Sequence, residues 1–166
     1  MSDLRTRTYS WQDPMIGAGQ ALQLSGLDYM SAIARGEIPI APIGATMNLT
    51  GIELVEHGKI IFVAEPAEFH YNPIGVVHGG FASTLLDSAL GCAVHTTLPV
   101  GMAYTTLELH VNFIRAITKE TGPLRCIAEV IHSGKQMATA QARVVDRNDK
   151  LYNHGSTTCL VYPISR

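Results

Sequence analysis

A helix that is apolar around almost its whole circumference has to be buried, and that requirement governs this chain. Phe81 to His95 reads as such a helix, with Phe81, Leu85, Leu86, Ala89, Leu90, Ala93 and Val94 covering most of its surface. The rest of the chain must supply something to wrap it. From Ile43 onward, outside this helix, the sequence shows the alternation and turn punctuation of strands. A first strand carries Met47, Leu49, Ile52 and Leu54, with Gly51 marking a bulge, and Lys59 to Glu65 returns from the His57-Gly58 turn. Tyr104 to Arg115 puts Leu107, Leu109, Val111 and Phe113 on one face and Glu108, His110 and Asn112 on the other. Short turns then join Leu124–His132, Met137–Asp146 and Leu151–Tyr162. Strands joined by hairpins form an antiparallel sheet, and a lone apolar helix packs on its concave face. The expected fold is α+β: about six antiparallel strands wrapped around one long central helix.

Residues 1–42 stand apart as an N-terminal extension, with the wrapped-helix domain expected over 43–166. The extension starts polar, with Trp11 and Pro14 as possible docking points. One helix is expected over Gly19 to Arg35, from the recurrence of Leu22, Gly26, Tyr29 and Ile33, and Gly36 stops it. Pro39 and Pro42 forbid its continuation. The connector Ile38 to Pro42 reads either as a cap over hydrophobic surface or as a lid over a substrate tunnel.

A hydrophobic content of 46% with 16% charged residues fits a well-buried globular chain. The formal net charge of −2 argues against a nucleic-acid partner. No apolar run reaches the ~18 residues of a membrane span, and the first residues lack the apolar core of a signal peptide, so the expected location is cytoplasmic. Cys92, Cys126 and Cys159 sit in separate apolar runs and read as structural thiols, and no Cys or His spacing suggests a metal.

One stripe of the central helix departs from its apolar character. Ser83, Asp87, Gly91 and His95 follow at four-residue spacing, so this small and polar face borders a cavity, a solvent edge or another subunit. A buried carboxylate is rare unless paired or functional, so Asp87 is either satisfied by its neighbours or put to chemical use. The start of the helix offers complementary chemistry. His78-Gly79-Gly80 brings orphan backbone N–H groups and the positive end of the helix dipole to a place where glycine lets a ligand carbonyl approach. Those are the parts of an oxyanion site, although a plain loop-to-helix turn looks the same. Gly79 and Asp87 are eight residues apart, or ~12 Å along a helix axis. If both act on one carbonyl, Asp87 must come from a second subunit lying antiparallel across a two-fold axis. The other candidates are weaker. The seven histidines show no zinc spacing, no GxSxG or GxGxxG occurs, and His78 reads as a positioning residue rather than a general base. Ser133-Gly134-Lys135-Gln136 is either an ordinary exposed turn or a phosphate contact.

Taken together, Asn72-x-x-Gly75-x-x-His78-Gly79-Gly80 followed by Thr84-Leu85-Leu86-Asp87-Ser88-Ala89 resembles the motif of the PaaI-like acyl-CoA thioesterases of the hot-dog fold. The strand–strand–helix–four-strand order matches over about residues 43–163. The leading helix with Gly36-Glu37-Ile38-Pro39 is similar to the extension of one bacterial branch. The resemblance implies hydrolysis of an acyl-CoA thioester without a cofactor or metal, CoA being part of the substrate. It also implies a homodimer or dimer of dimers. In its terms Gly79 N–H polarises the carbonyl, with Gly80 beside it, and Asp87 of the partner subunit is nucleophile or general base. Asn72 orients water or the leaving thiolate side, and His78 holds the loop. Thr105 or Thr106 positions water, and Gly134 and Lys135 contact the CoA nucleotide. Arg115-Ala116 departs from the basic-residue-Pro pair usual after the central strand. A non-catalytic acyl-CoA sensor and a hot-dog enoyl-CoA hydratase or dehydratase are the alternatives.

Overall fold

The computed structural model describes residues 3–164. Six strands form one antiparallel sheet in the order β1-β2-β4-β5-β6-β3. They are β1 (Leu49–Glu56), β2 (Lys59–Ala64), β3 (Met102–Phe113), β4 (Leu124–Ser133), β5 (Met137–Val145) and β6 (Leu151–Pro163). Three short helices precede them: α1 (Pro14–Ala21), α2 (Gly26–Ala34) and α3 (Pro42–Thr46). The long helix α4 (Gly79–His95) lies across the sheet, with Leu86, Ala89, Leu90, Ala93 and Val94 wholly buried against Ile60, Leu124, Cys126, Ala138, Val144 and Cys159. Fully burying a Leu or Val side chain stabilises by roughly 1.5–3 kcal/mol, so this contact dominates the fold. No helix among the described residues is long and apolar enough to cross a membrane.

Three details of the expected fold are corrected. The helix expected over Gly19–Arg35 is two helices. Ser25 caps a new one by accepting the Asp28 N–H, and Gly26 descends onto α4 so closely that a Cβ would lie 1.7 Å from the His95 carbonyl oxygen. Only glycine permits that approach, and its N–H bonds Leu98 O at 3.0 Å. The strand expected from Ile43 starts at Leu49, because Pro42 opens α3 at the first helical position. The last carbonyls of α3, on Ala45 and Thr46, are bound by the Arg7 guanidinium, which also lies over the Phe69 ring. The third correction concerns the face of β3. A bulge between Thr106 and Glu108 turns Leu107 outward, 61% exposed, away from Leu109 and Val111. Phe113, at the strand's end, is also exposed and stands against Gly79.

The two edges of the sheet differ. β1 is packed by α2 and α3, whereas β3 bonds β6 on one side and presents its other edge to solvent. Ile38 of the connector is buried at 3% exposure, while Ile40 and Ala41 border a cavity over α4.

Candidate active site

The loop before α4 is shaped by its own side chains. Asn72 Oδ1 accepts the N–H groups of Ile74 (3.0 Å) and Val76 (3.3 Å), closing an Asx-type turn around Gly75, whose φ is +83°. His78 is the N-cap of α4, and its Nδ1 accepts the Gly80 N–H at 2.8 Å. That bond leaves the proton on Nε2 and occupies Gly80. The Gly79 N–H donates to no acceptor among the described residues. Of the glycine pair, one donor is therefore spent on the loop and one points out at the positive end of a 17-residue helix.

Gly79 borders a cavity of about 280 Å³ lined also by His78, Ala82, Phe113, Arg115 and Asn153 among others. Asn153 was not anticipated from sequence. It is 1% exposed, on the sheet face beneath α4, and its Oδ1 has no hydrogen-bond partner. A buried amide oxygen without a partner is costly, and Asn153 lines the same cavity as Gly79. Arg115, at the departure noted above, is tied to the Leu151 carbonyl.

Asp87 belongs to a different cavity. Its Oδ1 accepts the Thr106 hydroxyl at 3.0 Å, and it is half-buried. The bulge at Leu107 explains why Thr106 rather than Thr105 makes this contact. Counting back by twos from Leu109 would put Thr105 inward, and the extra residue shifts the inward face to Thr106 and Tyr104. Thr105 is exposed. Further along the same stripe, Gly91 lies against Tyr104, and the His95 ring stacks on Tyr29 at 5.4 Å and meets Tyr104 edge-on at 5.6 Å. Burial pushes the Cys92 thiol beside them up to about 12, so it stays an inert thiol. Burial also lowers the His95 pKa and raises that of Tyr104.

The expected site residues thus fall in three places. Asn72, His78, Gly79 and Gly80 form the α4 N-terminus. Asp87 and Thr106 sit two turns on. Gly134 and Lys135 lie in the β4–β5 turn at the C-terminal end of α4, where Ser133 Oγ meets Thr97 Oγ1 at 2.8 Å, and Lys135 is exposed.

The loop is also buttressed from behind. The His78 N–H donates to the His70 carbonyl at 2.8 Å, and His70 packs on Phe81 while its Nδ1 accepts the Ala67 N–H. Burial, helped by the nearby Arg7 cation, holds His70 at about 4 against an ordinary 6.5. Above 6.5 neither folded nor unfolded chain holds the proton. Between 6.5 and about 4 only the unfolded chain takes it up, so stability falls with pH, and below about 4 the loss stops growing. Thermal midpoints at pH 7 and pH 4.5 check this: His70→Gln should lose less stability over that range than the wild type.

A family model, the thioesterase superfamily, matches residues 74–152. A 1,4-dihydroxy-2-naphthoyl-CoA hydrolase of Listeria monocytogenes is 29% identical over 103 residues, covering 61% of this chain and 82% of that protein. Among solved structures, a phenylacetic acid degradation-related protein of Ralstonia eutropha JMP134 superposes with a TM-score of 0.72 at 27% identity, over 80% of this chain and 98% of that one. A thioesterase of Haemophilus influenzae shares the fold, with a TM-score of 0.68 at 19% identity, over 75% of this chain and 85% of that one. The wrapped helix and these matches define the hot-dog fold, and residues 74–152 are similar to the thioesterase superfamily. Within that fold, the likeness to the phenylacetic acid degradation-related protein and to the naphthoyl-CoA hydrolase agrees with the resemblance to the PaaI-like thioesterases.

Proposed function

We propose that the protein hydrolyses small to medium acyl- or aryl-acyl-CoA thioesters to the free acid and CoA, in sites shared between two subunits. One observation carries this reading: an unused helix-terminal N–H at Gly79 and a hydroxyl-held carboxylate at Asp87 sit in separate cavities, ~12 Å apart along one helix. Neither cavity alone holds both groups that thioester hydrolysis needs. The free edge of β3 supplies the means of joining them. Asp87 lies against this edge strand through Thr106, and exposed Leu107 and Phe113 decorate it. A long uncovered edge invites pairing with another chain. A second copy pairing antiparallel there would set the two α4 helices side by side in opposite directions, with Asp87 of each near the N-terminus of the other.

In such a site Gly79 N–H, aligned with the α4 dipole, holds the thioester carbonyl oxygen and stabilises the oxyanion that develops. Asp87 of the partner subunit either attacks the carbonyl carbon or takes a proton from the attacking water. Either way the C–S bond breaks, the thiolate of CoA leaves and is protonated, and water supplies the hydroxyl of the acid. The Thr106 hydroxyl fixes Oδ1, which leaves Oδ2 for the chemistry. His78 keeps the loop in shape, and Asn72, its Oδ1 already spent, contributes through its NH2 group. Gly134 and Lys135 give the CoA nucleotide an exposed cation at the far end of the helix. Release of free thiol from a panel of acyl-CoAs tests the reading. The expected result is turnover of hexanoyl- or phenylacetyl-CoA, and hydration of enoyl-CoA without thiol release, or tight binding without either, would overturn it.

A further inference from the structure

The Asp87 cavity is larger than the other and differently built. At about 410 Å³ it falls within the range of small-ligand sites, and its wall is mostly apolar. Part of that wall comes from the N-terminal extension, with Tyr29 and Ile33 of α2 and Ile40 of the connector, and Ile43 of α3 follows directly after it. Ile40 and Ile43 are partly exposed although they are large and apolar, as residues awaiting an apolar occupant would be. The rest is Asp87, Ser88, Cys92 and His95 of α4, Tyr104 and Thr106 of β3, and apolar residues of β1 and β2.

The cavity also has a direction. Asp87, Gly91 and His95 occupy successive turns of α4, so the carboxylate and the His95 ring are separated by ~12 Å along the axis. At the far end the Tyr29, His95 and Tyr104 rings pack in sequence and close it. Tyr29 is itself backed by α1, where a Cβ on Gly17 would meet its hydroxyl at 3.2 Å. The extension is fixed rather than loosely laid over the site, because Gly26 is pressed onto the His95 carbonyl.

We propose that the acyl group of the substrate lies under the N-terminal helices of the subunit that supplies Asp87, and that Tyr29 sets the length it can reach. This rests on the thioesterase reading above and deepens it, because the acyl group, medium-chain or aryl, ends against an aromatic wall that bounds its length. One methylene too many or too few in an apolar pocket changes kcat/KM by about 10–200-fold, so wall substitutions should move selectivity clearly.

The test measures kcat/KM for acetyl-, hexanoyl-, phenylacetyl- and palmitoyl-CoA with wild type, Tyr29→Ala and Ile33→Phe. The wild type should favour hexanoyl- or phenylacetyl- over palmitoyl-CoA by about tenfold or more, and which of the two leads distinguishes an alkyl from an aryl substrate. Tyr29→Ala, by opening the wall, should raise the palmitoyl-to-hexanoyl ratio by about tenfold or more. Ile33→Phe, by filling the cavity, should raise the acetyl-to-hexanoyl ratio by a similar factor. If Tyr29→Ala does not fold, the Ile33→Phe shift decides alone. Thiol release with selectivity unchanged in the folded variants would overturn the assignment of the pocket and leave the thioesterase reading standing. Absence of thiol release from all four substrates with wild type would overturn that reading itself.

Discussion

Replacing Asp87 by asparagine should cut kcat for every acyl-CoA by about a thousandfold or more while leaving fold and substrate binding intact. An amide is neither a base nor a nucleophile at neutral pH. Its shape is that of the carboxylate, and its oxygen can still accept the Thr106 hydroxyl that Asp87 Oδ1 accepts at 3.0 Å. Asn and Asp have similar helix propensities, so α4 itself should not notice the change. Two measurements check the prediction together: thiol release, and calorimetric binding of an acyl-CoA to the variant. Retention of more than about a tenth of wild-type kcat would be too much for a residue with either catalytic role.

Gly79→Pro should lower kcat by about 10²–10³-fold, the usual cost of one lost oxyanion donor. Proline suits the backbone at this place. Gly79 is the first residue of α4, where proline is favoured because its missing N–H would have no partner in the helix. His78 already has φ −62° and ψ 140°, a conformation that a following proline demands. A Cβ there would stand 3.1 Å from the Phe113 ring, and that ring is 57% exposed and able to yield. Gly79→Ala isolates the donor, because it meets the same ring and keeps the N–H. The alanine variant should keep most of its activity, and equal losses in the two variants would point to crowding at Phe113 instead.

Much of this architecture was legible in the residues. The apolar circumference of α4 demanded a wrapping sheet, and alternation with turn residues supplied its six strands. Asp87 stands out because a carboxylate is conspicuous on such a helix, and the rise per residue alone separates it from Gly79. The parts that were not legible depend on contacts distant in sequence. The break between α1 and α2 is set by Gly26 meeting His95, and a glycine within a helical period looks like any other. Helix α3 is too short to show a period, and its closing carbonyls are capped by Arg7, almost forty residues upstream. The bulge at Leu107 decides between Thr105 and Thr106, yet perfect alternation in β3 concealed it. Asn153 gave no signal, since an asparagine in a strand shows its burial and its missing partner only once the sheet has closed over α4.

The central claim is that each site takes Gly79 from one subunit and Asp87 from the other. Co-expressing the Asp87→Asn and Gly79→Pro chains with different affinity tags, and purifying through both, yields a dimer containing one of each. Two of its four components are intact, and in a shared-site dimer they fall in the same site, so the heterodimer should show about half the wild-type rate while each parent homodimer is nearly inactive. A heterodimer as inactive as its parents would place Gly79 and Asp87 of a single chain in one site and contradict the account.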